Sequence, residues 1–373
     1  MSGQTALSGW ESLGQIRPSH SRQHYVGLLR ADALEMHYQP IIALNSGKLI
    51  KVEALARLLD GDRVLQPGEF FPAFGSDDFV ELYGRGLEQA LRQRNRWLEE
   101  ELDVQVSINL PSSALGDLRY FDATRQILHE HRCPPGRLTL EILETGEIPR
   151  GIDAAKEMAR YRDLGVSLAE DDLGSGHSSL HRLRELPFDI IKIDGALVAT
   201  KGSNASDVLR FIYQLTRLGH SLGKSVIVEG VEEADLLQAI RILGADAVQG
   251  YVISRPMRGW QIVEWVRDND GSMPVPALPE STLAKLAKLL MWEERLHLMR
   301  EEARAGALGG QPSGMLVSEI RANLPFKTVE TAIQVDLAET AFNHGLRSPE
   351  YRAARERLVA ALASRARDDA FPT

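Results

Sequence analysis

Carboxylates stand at the ends of several short β-branched runs in this chain: Glu53 in VEALAR, Glu141 in LTLEILE, Asp171 and Asp172 in VSLAEDD, and Glu229 in VIVEG. Asn109 closes VQVSIN in the same way, Lys192 lies in DIIKID, and Gln249 lies in AVQGY. Oxygen-bearing side chains delivered by successive strands to one mouth of a barrel would bind a hard divalent cation. Glu53, Asn109, Glu141 and Asp171 would enclose one ion. Asp172 would serve a second, with Asp171 bridging and Glu229 joining. Two neighbouring ions can activate a water and stabilise the leaving oxygen of a phosphodiester. Lys192 suits orientation of that water or neutralisation of phosphate charge, and the Gln249 amide could hold the water.

Each residue also has a plainer reading. A single acid at a strand end is usually a helix cap or a solvated loop residue, and Lys192 by itself would be an ordinary ion-pair partner. Asp172-Leu173-Gly174-Ser175-Gly176 could be a strand-to-helix turn. The inference rests on the set, because groups on successive strands all falling at one end are hard to assign to chance.

The elements that must position them follow from periodicity. MHYQPIIAL and LIKVEALARL flank the turn Asn45-Ser46-Gly47, a connection short enough to force an antiparallel pair. Further strands are expected over 104–109, 138–143, 166–171, 189–194, 225–230 and 247–251. Helix-like segments lie near 80–100, 151–164, 177–185, 205–222 and 232–243, each long enough for a parallel crossover. The pattern predicts an α/β fold, a TIM-like (β/α)8 barrel with an antiparallel first strand, in preference to an open doubly wound sheet. Residues 1–30 read as a helical lead-in, with a helix over Tyr25 to Leu34, and residues 31–268 as the barrel. NDGSMPVPALPE marks a boundary. Residues 281–373 read as an all-α bundle. Leu286, Leu289, Trp292, Leu296, Met299 and Ala303 form one stripe, Val329, Ile333, Leu337 and Ala341 another, and Ser348-Pro349-Glu350 opens a last helix.

Composition narrows the function classes. The 373 residues carry a net charge of −9, which disfavours a nucleic acid polymer as partner. No apolar run approaches membrane-spanning length and the first residues lack signal-peptide character, so a cytoplasmic protein is expected. The single cysteine, Cys133, excludes an intramolecular disulfide framework and a thiolate metal cluster, and reads as a small buried residue.

With these residues in view, the sequence resembles the EAL-domain phosphodiesterases that hydrolyse the bacterial second messenger cyclic di-GMP. The resemblance runs from about Met36 to Met257. It is carried by Glu53-Ala54-Leu55 followed by Arg57, and by YQPI, SINLP, LEILE, DDLGSGHSSL, KID, EGVE and QGY in order. It implies that Glu53, Asn109, Glu141 and Asp171 ligate one Mg2+ or Mn2+, and that Asp171, Asp172 and Glu229 hold the second. Lys192 and Gln249 would position the water, giving linear pGpG. Glu144 would steady the loop Leu173 to Ser178 and couple metal binding to a homodimer contact. Gln39, Leu55 and Arg57 would contact the ligand, Arg57 through a forked donor.

The chain departs from that pattern at Leu173 and His177, where aromatic residues are usual, and at Gly75, where an acid is usual. These departures bear on loop rigidity, dimer coupling and turnover and leave the ligand set intact. His177 has a pH-switch reading beside a cap or packing reading. The competing functional class is a receptor that binds cyclic di-GMP without cleaving it, and a further alternative is a two-metal barrel hydrolase of another phosphoester. The C-terminal helices read first as a packing element and second as a regulatory or dimerising interface.

Overall fold

Alternation along the predicted strands separates an apolar layer from one that carries the polar residues. In LTLEIL, Leu138, Leu140 and Ile142 point one way and Thr139 and Glu141 the other, and all are buried. A strand covered on both faces, with its polar residues on one of them, is what a barrel wall enclosing a site requires. The computed structural model describes residues 22–143, 151–173, 180–198, 205–269, 281–304, 340 and 348–358. The strands are β1 (Leu34–Ala43), β2 (Leu49–Asp60), β3 (Arg63–Leu65), β4 (Gln105–Leu110), β5 (Leu138–Leu143), β6 (Ser167–Leu173), β7 (Ile190–Ile193), β8 (Ser225–Val228), β9 (Ala247–Val248) and β10 (Met257–Arg258).

Pairing runs β1-β9-β8-β7-β6-β5-β4-β2 and closes through β1 with β2, a barrel of eight strands to which β3 and β10 add at the rims. From β2 through β9 the barrel pairs are parallel, whereas β1 pairs antiparallel with both β2 and β9. This is the expected distorted (β/α)8 barrel. Outside the wall, Val52, Val106, Ile108, Leu138, Leu140 and Leu168 join a core under the helices Ser76–Glu99, Leu118–Glu130 and Ala154–Leu164. Inside it, Ile41, Ile227 and Ala247 form a small apolar plug.

The helix Leu118–Glu130 adds to the elements expected from periodicity, and the parallel pairing of β4 with β5 demands a crossover there. It buries Tyr120, Thr124, Ile127 and Leu128 on one face and is capped by Asp117, which accepts from the Arg119 amide. The helix Gly259–Asp268 is a further element beyond those expected. The lead-in helix spans Arg22–Arg30, earlier than the expected Tyr25 to Leu34, because Asp32 takes a positive φ of 61° and Leu34 enters β1. No helix among the described residues is long and apolar enough to cross a membrane.

The chain divides into two compact units: Met1–Lys201, Gln214–Glu232 and Ala245–Val275 form one, and Gly202–Tyr213, Glu233–Gly244 and Pro276–Thr373 the other. Within the second, the helix Thr282–Arg304 packs on the helix Ala234–Leu243, burying Leu286, Leu289 and Trp292. Ser348 caps the helical residues 349–358 as expected, its Oγ accepting from the Tyr351 amide at 3.0 Å. The stripe Val329, Ile333, Leu337 and Ala341 lies outside the described residues.

Candidate active site

Because side chains on one strand alternate and neighbouring parallel strands keep register, residues of like parity meet inside the barrel. Glu53 of β2 pairs in register with Ser107 of β4, and Asn109 with Glu141 of β5. Leu143 pairs with Asp171 of β6, and Lys192 of β7 with Ile227 of β8, two residues before Glu229. The antiparallel β1 runs the other way and sets Gln39 opposite Glu53, His37 opposite Leu55 and Glu35 opposite Arg57.

Lys192 is the centre of this arrangement. Its Nζ lies 2.6 Å from Glu229, 2.7 Å from Glu141, 2.9 Å from Asp171 and 3.8 Å from Glu53. Glu53 also accepts from Asn109 Nδ2 at 3.0 Å and from Gln249 Nε2 at 2.6 Å. Gln249 reaches Gln39 Oε1 at 3.0 Å, and Gln39 Nε2 donates to the Ser254 carbonyl at 3.0 Å. Arg57 is buried and donates to the Ala56 carbonyl, while Leu55 is half-buried. The structure thus brings together Glu53, Asn109, Glu141, Asp171, Lys192, Glu229, Gln249 and Gln39. Asp172 takes its place at the end of β6. Glu144 and His177 lie outside the described residues.

Four acids around one ammonium, almost fully buried, must share charge unequally. Burial opposes ionisation of Glu53, but Lys192 and the hydrogen bonds from Gln249 and Asn109 hold its carboxyl below the ordinary value. Burial, reinforced by Glu53 and Asp171, pushes Glu141 up to about 8 despite Lys192. Lys192 works against its own burial and is kept well above its usual range by Asp171, Glu141, Glu229 and Glu53. One layer deeper, burial pushes Lys51 down to about 8.

Among the described residues, no group of three or more His, Cys, Asp or Glu side chains is spaced to hold an ion, since the acids are drawn onto Lys192. The donor set nevertheless fits a hard cation: carboxylate and amide oxygens from consecutive strands, more negative charge than Lys192 offsets, and a Gln249 Oε1 with no hydrogen-bond partner among the described residues.

The reading from sequence missed Glu170, fully buried on the opposite face of β6, where Arg182 Nε pairs with it at 2.7 Å while Arg182 Nη2 donates to the Leu143 carbonyl at 3.0 Å. Its parity, opposite to Asp171, was the available signal. Leu173 packs with Leu183 and Ile191, so a leucine at that position is absorbed as core.

The sequence profile of the EAL domain matches residues 22–256. The chain belongs to the EAL domain family. Over 225 residues this EAL protein is 34% identical to the cyclic di-GMP phosphodiesterase RocR of Pseudomonas aeruginosa, covering 60% of the chain and 57% of RocR. The matched region therefore spans less than two thirds of that relative. Among solved structures, the phosphodiesterase MucR in complex with c-di-GMP superposes with a TM-score of 0.60 at 28% identity, covering 65% of the chain and 99% of that structure. An EAL domain protein from Listeria monocytogenes superposes with a TM-score of 0.56 at 30% identity, covering 66% of the chain and 98% of that structure.

Proposed function

We propose that this EAL protein is a metal-dependent phosphodiesterase that hydrolyses cyclic di-GMP to linear pGpG. The supporting observation is the convergence of Glu53, Glu141, Asp171 and Glu229 from four strands on Lys192. Glu53, Asn109, Glu141 and Asp171 would hold one Mg2+ or Mn2+, and Asp171, Asp172 and Glu229 the second. When bound, such ions supply Lewis acidity at the phosphodiester and lower the pKa of water.

The chain's own groups do the rest. Lys192 stays protonated and presents N–H donors to a phosphate oxygen or to the attacking water. Gln249 offers its Oε1 to orient that water, and its Nε2 fixes Glu53. Gln39, Leu55 and Arg57, on adjacent antiparallel strands, line the rim where the ligand would lie. Glu144 would steady the loop Leu173 to Ser178. A barrel of residues 31–268, a C-terminal helical bundle of 281–373, a homodimer and a cytoplasmic location belong to the same reading.

The test is incubation of the full chain with cyclic di-GMP and Mg2+ or Mn2+, with nucleotides resolved by chromatography. Metal-dependent appearance of pGpG, abolished by chelator, is the expected result. Glu53→Ala should lower turnover at least about a hundredfold by removing a charged ligand and the acceptor of Asn109 and Gln249. Tight binding without cleavage would make the chain a receptor, and an unaltered rate in Glu53→Ala would overturn the ligand set.

A further inference from the structure

Lys51 is a second ammonium in the barrel interior, 3% exposed. It precedes Glu53 by two residues on β2, so its side chain shares the face of Glu53 one layer deeper. Thr139 stands in the same relation to Glu141 on β5. Lys51 Nζ donates to Thr139 Oγ1 at 2.7 Å, a bond that bypasses β4, where Ser107 pairs in register with both Glu53 and Thr139. Across β1, the residue opposite Lys51 is Ile41, part of the apolar plug with Ile227 and Ala247.

A buried charge bonded to a hydroxyl is costly to keep, and a methionine of similar length would pack there without that cost. Burial dominates and lowers the Lys51 pKa; Glu141, in the layer above, and Asp189 counter part of that cost, while Lys192 adds to it.

We propose that Lys51 is an electrostatic positioning residue, whose ammonium one layer beneath Glu53 and Glu141 adds positive charge next to the acid cluster and limits its affinity for divalent cations. The inference rests on the reading of that cluster as a metal site.

The experiment is calorimetric titration of Mn2+ into the full chain at pH 7, for the wild type, Lys51→Met, Thr139→Val and the double variant. Removing a positive charge buried near a divalent ion should tighten Mn2+ binding about tenfold in Lys51→Met and in the double variant. Thr139→Val keeps the charge and should stay within about twofold of wild type. The double variant removes donor and acceptor together and guards against a fold lost to an unpaired hydroxyl. A packing role for Lys51 would change the melting temperature and leave the Mn2+ affinity where it was. Equal or weaker Mn2+ binding by folded Lys51→Met, with wild type binding the ion, overturns this inference and leaves the metal site standing. A wild type that binds no Mn2+ overturns both.

Discussion

At the scale of residues, burial together with unlike neighbours sets the chemistry. Glu53 and Glu141 face the same ammonium, yet Glu53 accepts from two amides and ionises readily, while Glu141, in the midst of other carboxylates, holds its proton up to about 8. Sequence position cannot tell these two acids apart. A comparable asymmetry surrounds His37 at the rim. Burial first and the Arg57 guanidinium second lower its pKa from 6.5; Arg258 adds to this, and Glu35, 3.3 Å away, opposes it. The unfolded chain therefore takes up a proton before the folded one does. The contribution of His37 to stability is fully present above pH 6.5 and is lost as pH falls toward the lowered folded value. Relative to His37→Gln, the wild type should lose urea resistance as pH drops through that window. Parallel midpoints for the two proteins would show that His37 is not the titrating group.

At the scale of elements, strand irregularities and close approaches aim the side chains. Glu170 pairs with Ile191 and Leu173 with Ile193, so Asp171 and Asp172 together stand opposite Lys192. That extra residue on β6 is a bulge, a device that redirects a strand beside a site. The ladder past the strand ends is kept by the Glu229 amide donating to the Ile193 carbonyl at 3.0 Å and the Gln249 amide to the Val228 carbonyl at 2.9 Å. Gly230, next to Glu229, has φ +61°, and a Cβ there would lie 2.5 Å from the Gly195 Cα. Gly230→Ala combines a backbone clash with an unfavourable φ and should cost about 2 to 4 kcal/mol. Urea unfolding checks this, and a midpoint equal to wild type would show that the two chain segments can part without penalty.

At the scale of the whole molecule, polar groups also tie the second unit together. Glu293, buried on Thr282–Arg304, accepts from Tyr351 Oη at 2.7 Å and Arg355 Nε at 2.6 Å, and Arg355 Nη2 donates to Ser206 Oγ at 3.0 Å. Arg210 Nη2 approaches the same carboxylate at 3.5 Å, so three segments far apart in sequence meet there. Glu293→Ala strands a largely buried guanidinium and a phenol, and should destabilise the unit by about 3 kcal/mol. Glu293→Gln, which keeps an acceptor, should cost less. Circular dichroism during urea unfolding separates the two, and equal losses would assign the effect to packing.

By itself the sequence determined the barrel, its antiparallel first strand and the identity of the acids, because these depend on local alternation, turn chemistry and the order of motifs along the chain. The tertiary structure decided what those acids do to one another. That Lys192 gathers four of them, that Glu53 and Glu141 diverge in protonation, and that Lys51 lies beneath them are consequences of strand register, which brings residues from positions 51 to 249 into one buried volume. The helix Leu118–Glu130 belongs with these for a related reason: the parallel pairing of β4 with β5 on either side is what requires it. Residue types set what chemistry is available, and the closed barrel fixes how little water and how many neighbouring charges each group must live with.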